Sequence, residues 1–367
     1  MRKSQNGVLV CWSLSTRKNI GDYIQSVAQE QFWDKVDCYV EREELDSFES
    51  DKPTNVIMNG WFMIKPQNYP PQPCINPLYI SFHIDSRIEK KMMTQAAIEH
   101  LKKYEPIGTR DTDTKQLLEK YGIKAYFSGC LTTTLCLRYG NATKDQPPVF
   151  VDPYYEVAGT KKNLYKWGMY ARNIYYLFKN WRKVNKFIDR FDNEFWTWYG
   201  KLSRKFEKRV CASVFYETYK TICSDELFFN AEYVTHNVET TRFTTNDDWM
   251  EYARMLVRKY AKAKYVITSR IHCALPCLGV ETPVIFVQAG SLHDGTLRDN
   301  SRFGGLLEMF NVVSYEKGSI KPTTTAMKGL LEKGKLYMSS GFNNPNLYKE
   351  YRDDMIKRTK SFIESVK

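Results

Sequence analysis

The densest set of reactive side chains lies in KYVITSRIHCALPCLG, residues 264–279. A short β-branched run ends at Thr268, and a helical pattern begins two or three residues later. Ser269, Arg270 and His272 therefore fall between the carboxyl end of a strand and the first turn of a helix. Backbone N–H groups and the helix dipole make that place attractive to an anion. Arg270 adds a planar fork suited to a carboxylate or a phosphate. His272 can donate to a phosphate oxygen or move a proton near neutral pH. The plainer alternative is an arginine and a histidine packed at a helix start.

IGTRDTDT, residues 107–114, repeats the arrangement: strand, Gly-Thr-Arg, helix start. Arg110 is a second candidate anion clamp, or else the ion-pair partner of Asp111 or Asp113. RKNIGD, residues 17–22, closes the first strand ahead of a helix. There Gly21 permits close backbone approach, and Asp22 either caps the helix, its more ordinary role, or serves as a base. Asn59-Gly60 and His83 each end a strand where they could line a cleft; His83 suits core packing equally well. Neither a Gly-x-Gly-x-x-Gly loop nor a Gly-Lys-Ser/Thr loop is present, so dinucleotide and P-loop chemistry have no support.

The elements that must position these residues alternate. GVLVCWS reads as a buried strand and DYIQSVAQEQFW as a helix, followed by β-type runs at VDCYV, NVIMNGW and LYISFHI. One helix is expected from about Arg87 to Tyr104, then the strand IGTR, the helix DTDTKQLLEKYG and the strand KAYFSGC. A second unit opens at PPVFVDPYY and continues with the strand AEYVTHNV, a helix from Asp248 to about Ala263, the strand KYVITS, the helix IHCALPCLG and the strand TPVIFV. Asn346–Lys367 closes the chain as a capped amphipathic helix. This alternation predicts an α/β fold of two doubly wound, Rossmann-like domains. Residues 1–145 form the first, 146–345 the second with a helical insertion at about 160–230, and 346–367 the terminal helix. Gly140 and Pro147-Pro148 mark the boundary. Two facing domains of this kind leave a cleft at the carboxyl ends of their strands.

The chain has 367 residues, 43% hydrophobic and 26% charged, which fits a soluble protein with a sizeable core. No run approaches the ~18 apolar residues of a spanning helix, and the N-terminus reads as a strand rather than a signal peptide. The nine cysteines, an odd number mostly in apolar segments, lack zinc spacing; they predict reduced thiols in a cytoplasm and no metal. Charge is uneven: of the net +12, +10 falls in residues 161–210, which hold 14 Lys+Arg, 4 Asp+Glu and 14 aromatics. Trp167, Tyr170, Ile174, Phe178, Trp181, Val184, Ile188, Phe191, Phe195 and Trp198 recur every three or four positions, with basic residues in the gaps. This is the composition of a membrane-surface element, or of a helical hairpin that covers a core and carries a solvated basic face. Nothing else in the chain supports nucleic-acid binding.

Six segments, in order along nearly the whole chain, resemble the polysaccharide pyruvyl transferase family: NIGDYIQ (19–25), VIMNGWF (56–62), ISFHID (80–85), GTRDTDTKQLLEKYGIKAYFSGCLTTTL (108–135), VDPYY (151–155) and VITSRIHCALPCLGVETPVIFV (266–287). The stretch 160–210 carries no family pattern. The resemblance implies a GT-B-like fold and transfer of the enolpyruvyl unit of phosphoenolpyruvate onto two hydroxyls of a sugar, releasing phosphate. It implies donor-site roles for Arg270 and His272 and a second contact for Arg110. Such chemistry needs an acid for the methylene carbon and a base for the attacking hydroxyls. Phosphate can leave without a metal if an arginine and a helix start hold its charge.

The expectation is therefore a cytoplasmic pyruvyl transferase of surface-polysaccharide assembly that uses phosphoenolpyruvate as donor substrate and no separate cofactor. Its catalytic candidates are His272, His83 and Asp22; its substrate-binding candidates are Arg270, Arg110, Ser269, Gly21 and Asn59. A lipid-linked acceptor would place it peripherally at the inner membrane face through residues 161–210. Two rival readings are a GT-B glycosyltransferase using a nucleotide sugar, and a non-catalytic membrane-surface protein.

Overall fold

The computed structural model describes residues 4–12, 17–156, 164–188, 205–290 and 303–367. The first half supplies β1 (Gln5–Val10), β2 (Arg17–Asn19), β3 (Cys38–Glu41), β4 (Thr54–Phe62), β5 (Ile75–Ile84), β6 (Ile107–Thr109) and β7 (Ala125–Phe127). All but β2 form a parallel sheet in the order β3-β1-β4-β5-β6-β7. The second half supplies β8 (Val149–Val151), β9 (Glu232–Val234), β10 (Asn237–Glu239), β11 (Val266–Thr268), β12 (Val284–Ala289), β13 (Asn311–Glu316) and β14 (Ser319–Pro322). All but β10 form a sheet in the order β14-β13-β12-β11-β8-β9, antiparallel at β13–β14 alone. Ranked by appearance within its own sheet, each set runs 2-1-3-4-5-6. Each sheet thus has a switch point where ligands gather: between β1 and β4 in the first, between β8 and β11 in the second.

The helices are α1 (Gly21–Glu30), α2 (Glu89–Met92), α3 (Gln95–Lys103), α4 (Thr112–Lys120), α5 (Cys136–Tyr139), α6 (Leu164–Val184), α7 (Lys205–Tyr219), α8 (Asp225–Asn230), α9 (Asn246–Lys262), α10 (Ile271–Gly279), α11 (Thr325–Glu332) and α12 (Tyr348–Val366). The single helix expected over 87–104 is divided, because the Thr94 side chain accepts from Ala97 N–H and caps α3 as a fresh start. AEYVTHNV is likewise two strands. β9 stays in its sheet, whereas β10 leaves to pair antiparallel with β2 of the other half, Val238 opposite Lys18. α9 starts at Asn246, two residues before the expected Asp248, because Thr245 caps it. α12 begins at Tyr348 with no side-chain cap.

One cluster of buried apolar side chains runs through both halves. Val10, Ile24 and Trp33 belong to it, as do Val149, Trp249, Leu275 and Phe286, and α12 adds Met355 and Ile363. Tyr23 of α1 stacks on Trp249 of α9 at 5.7 Å between ring centroids. A second cluster, including Phe150, Phe215 and Phe228, lies beneath α6, α7 and α8. The basic aromatic stretch is therefore, in its described part, a helical cover over the second sheet. Its inward face differs from the expected stripe: Met169, Asn173, Leu177, Asn180 and Val184 are buried, while Phe178 is 73% exposed and Tyr175 61%. Asn180 turns inward because its amide donates to the buried Glu217 carboxylate of α7 at 2.8 Å. The Trp167 and Tyr170 side chains, and Phe191, Phe195 and Trp198, lie outside the described residues. Among the described residues no helix is long and apolar enough to cross a membrane. All nine cysteines are free thiols.

α10 ends against the turn Leu131–Leu135 of the first half with no room to spare. A Cβ on Gly279 would lie 2.2 Å from the Thr132 carbonyl oxygen. Gly279→Ala should force the helix off that backbone, costing about 1–3 kcal/mol, visible as a lowered melting temperature. An unchanged melt would show that the contact is looser than described.

Candidate functional site

Site residues come from the strand ends of both sheets. At the first switch point α1 begins at Gly21, whose N–H donates to Asn19 Oδ1 at 3.1 Å. Asp22 is not the cap expected from its position: the cap residue is Ile20, and no side chain caps the helix. Asp22 instead sits in the first turn with Oδ1 3.3 Å from Arg42 Nη1. Arg42, just beyond β3, is buried and also meets Glu43 Oε1 at 3.1 Å and Cys11 Sγ at 2.8 Å. Gln25, one turn further along α1, lies 3.5 Å from both Asp22 Oδ1 and His272 Nδ1. Asn59, near the end of β4, accepts from Gln29 and donates to the Gln25 carbonyl, so it fixes α1 from behind.

The neighbouring strand ends add a second set. His83, at the end of β5, holds Nδ1 2.5 Å from Asp111 Oδ2 and 3.1 Å from Thr114 Oγ1. Asp111 is fully buried and caps α4, accepting from Thr114 N–H at 2.9 Å. Arg110 is buried beside it, Nε 3.8 Å from Asp111 Oδ2. Burial pushes the Arg110 pKa down, and the neighbouring Asp111 carboxylate resists that shift. Arg110 Nη1 reaches across to His272 Nε2 at 3.3 Å.

His272 comes from the other sheet, in the first turn of α10. Its entry needs Gly21: a Cβ there would stand 2.5 Å from His272 Cβ. Arg270, the residue before α10, gives Nε to Asp152 Oδ2 at 2.9 Å and stays one-fifth exposed. No side chain caps α10. Asp152 follows β8 with φ +40°, and the same oxygen accepts His236 N–H at 2.9 Å. His236 in turn accepts Ile20 N–H on its carbonyl at 2.9 Å, joining the two halves beside the site. The Ser269 hydroxyl donates to the Val287 carbonyl and accepts Tyr154 N–H, both at 2.7 Å. It ties three strand ends together.

Gly21, Asp22, Arg110, His83 and His272 thus form one connected network, with Arg270 two residues from His272 on the same helix start. Sequence reasoning named Asp111 only as an ion-pair partner of Arg110, and it did not single out Asp152, Gln25 and Arg42. Asp152 follows a buried strand directly, Asp111 stands two residues beyond one, and Gln25 is a polar residue on the buried face of α1; those positions were the available signal. Nothing local marks Arg42, since an arginine in the run REE reads as surface. Among the described residues no three His, Cys, Asp or Glu side chains are arranged to hold a metal ion. Three arginines backed by carboxylates, next to a histidine and a helix start, can hold a small multiply charged anion and move a proton beside it.

A model of the polysaccharide pyruvyl transferase family matches residues 19–289. Among curated proteins nothing matches the chain.

Burial pushes down the pKa values of His83, His100 and His236, that of His100 to about 4. Arg110 adds to the effect at His83 and Arg270 at His236, while Asp111 opposes it at His83. The folded chain therefore keeps these rings neutral, whereas the unfolded chain takes up protons near pH 6.5. The stability they supply is complete above about pH 6.5 and is lost as pH falls towards the folded values. Denaturant midpoints should be lower at pH 5 than at pH 7.5, with part of the difference removed in His100→Phe. A midpoint that rises on acidification would contradict this account.

Proposed function

The chain belongs to the polysaccharide pyruvyl transferase family, and on that premise we propose that it transfers the enolpyruvyl unit of phosphoenolpyruvate to a saccharide. Two acceptor hydroxyls add to the central enol carbon and the C–O bond to phosphate breaks. A cyclic pyruvate ketal and phosphate result. Of the two hydroxyl protons, one ends on the methyl carbon and one on phosphate, so a single acid–base group near both can serve. The observation that carries the reading is the 3.3 Å meeting of Arg110 and His272 across the two sheets.

In this reading Arg270 and the start of α10 hold the phosphate, and Arg110 holds the carboxylate. His272, positioned by Gly21 and Gln25, moves the proton. Asp22 and His83 are the further titratable groups of the network. Two sheets of matching strand order, with strand ends from both lining one site, support a GT-B-like arrangement. The reaction belongs with surface-polysaccharide assembly in the cytoplasm, with phosphoenolpyruvate as donor substrate and no separate cofactor.

Phosphoenolpyruvate should raise the melting temperature where a panel of nucleotide sugars does not. Phosphate release in the presence of acceptor saccharides should fall about 100-fold or more in His272→Ala and in Arg270→Lys, since a point charge cannot replace a fork. Near-normal turnover and donor affinity in Arg270→Ala would remove it from the site. Stabilisation by a nucleotide sugar alone would favour glycosyl transfer.

We also propose that the outer face of α6 rests on an anionic membrane when the acceptor is lipid-linked. Supporting this, Tyr175, Phe178 and Trp181 are exposed alongside Arg182 and Lys186. Lys179 and Lys183 are weaker probes, because they pair with Glu217 at 3.3 Å and Asp225 at 2.9 Å. Each cation near such a surface contributes about 1 kcal/mol. Binding to anionic vesicles should exceed that to neutral ones, weaken with salt, and be lost in Phe178→Ser combined with Arg182→Glu. Turnover of a lipid-free acceptor should survive that double change. No binding to anionic vesicles would leave α6 as a cover only.

A further inference from the structure

A cavity of about 200 Å³ opens beside the first switch point, lined by Trp12, Glu41, Glu43, Glu44, Ile64, Lys65 and Asn246. We propose that it is a saccharide subsite, holding one sugar unit of the acceptor with its ring face against Trp12; the assignment rests on the transfer reading above.

The walls are of two kinds. Trp12 is 41% exposed and Ile64 50%, so large apolar surfaces face outward next to charged groups. Glu41 and Glu44 bring acceptors, Lys65 brings donors and Asn246 brings both. A sugar ring presents the matching surface, with C–H groups on its faces and hydroxyls around its edge, and an amphipathic aromatic suits it. The lining holds more carboxylate than ammonium, which disfavours an anion. The anionic donor and the hydroxylated acceptor are thereby sorted into adjacent places by charge.

The cavity is built on elements that also hold the anion site. Trp12 follows Cys11, whose sulfur lies 2.8 Å from Arg42 Nη2. Glu41 precedes Arg42, and Arg42 faces Asp22. Glu41 accepts Trp12 N–H at 2.6 Å, fixing the backbone that presents the indole. Glu43 supports the opposite wall, accepting Ile64 N–H and Lys65 N–H at 2.7 Å each while meeting Arg42. Asn246 comes from the second half and accepts the Tyr23 hydroxyl at 2.7 Å. Burial also raises the Glu41 pKa, while its two oxygens accept Trp12 N–H and Glu43 N–H.

The test uses the full chain on a glycan array, with phosphoenolpyruvate thermal shift as a separate readout. Wild type should retain a defined set of glycans. Trp12→Ala and Glu41→Gln should each weaken that binding at least tenfold, Trp12→Phe should keep most of it, and all three should keep the phosphoenolpyruvate shift. A blank wild-type array, or a pattern unchanged by Trp12→Ala, overturns the subsite. Loss of glycan and donor responses together in Trp12→Ala also overturns it, because the indole would then be holding up the fold. If phosphoenolpyruvate stabilises no form of the protein, the donor reading fails on its own, whatever the array shows.

Discussion

Two helices, one from each half, start at the same point because one of them begins with a residue that has no side chain. The bare Cα of Gly21 lets His272 sit where any Cβ would collide. That approach brings the positive ends of α1 and α10 together and adds Arg42, Arg110 and Arg270 around them. Such a concentration of like charge could not persist in a partly desolvated cleft without compensation. Each arginine accordingly faces an aspartate: Asp22 for Arg42, Asp111 for Arg110, Asp152 for Arg270. The aspartates balance the charge and also aim it, since each is fixed in turn by a helix start, a cap or a backbone N–H.

Rigidity follows from the same arrangement. The halves share one apolar cluster, and β2 and β10 lace them beside the site. Interfaces between domains are ordinarily more polar than this, and relative motion is then the default. Here Tyr23 on Trp249 and the fit of Gly279 against Thr132 make the boundary part of the core. Donors built on such a frame are in place before charge develops on a substrate, the condition under which hydrogen bonds lower a barrier most.

Much of this was legible in residue order. The strand–helix alternation and the junctions carrying Arg110 and His272 follow from hydrophobic runs broken by turn residues. What was not legible depends on partners far along the chain. Asp22 looks like a cap, and only the folded chain sets Arg42 opposite it. β10 looks continuous with β9 until β2 is present to pair with it. On α6 the hydrophobic period points to the wrong face, because Asn173 and Asn180 are buried and Asn180 is satisfied by Glu217 of α7. Trp12 reads as the tail of a buried strand, and its exposure comes from the loop geometry around Glu41 and Glu43.

The terminal helix α12 packs far from its sequence neighbours. Phe362 meets Trp33 edge-on, Tyr351 meets Phe127, and Met355 is buried beneath the first sheet's strand β5, within reach of Ser81. Ser4, near the chain's beginning, donates to the Val366 carbonyl. During synthesis the first sheet emerges early and the α12 part of its cover emerges only after the second half, so an apolar face must wait through that production. Domains made at a ribosome ordinarily close in the order they appear; this one can close only after the second half has been made.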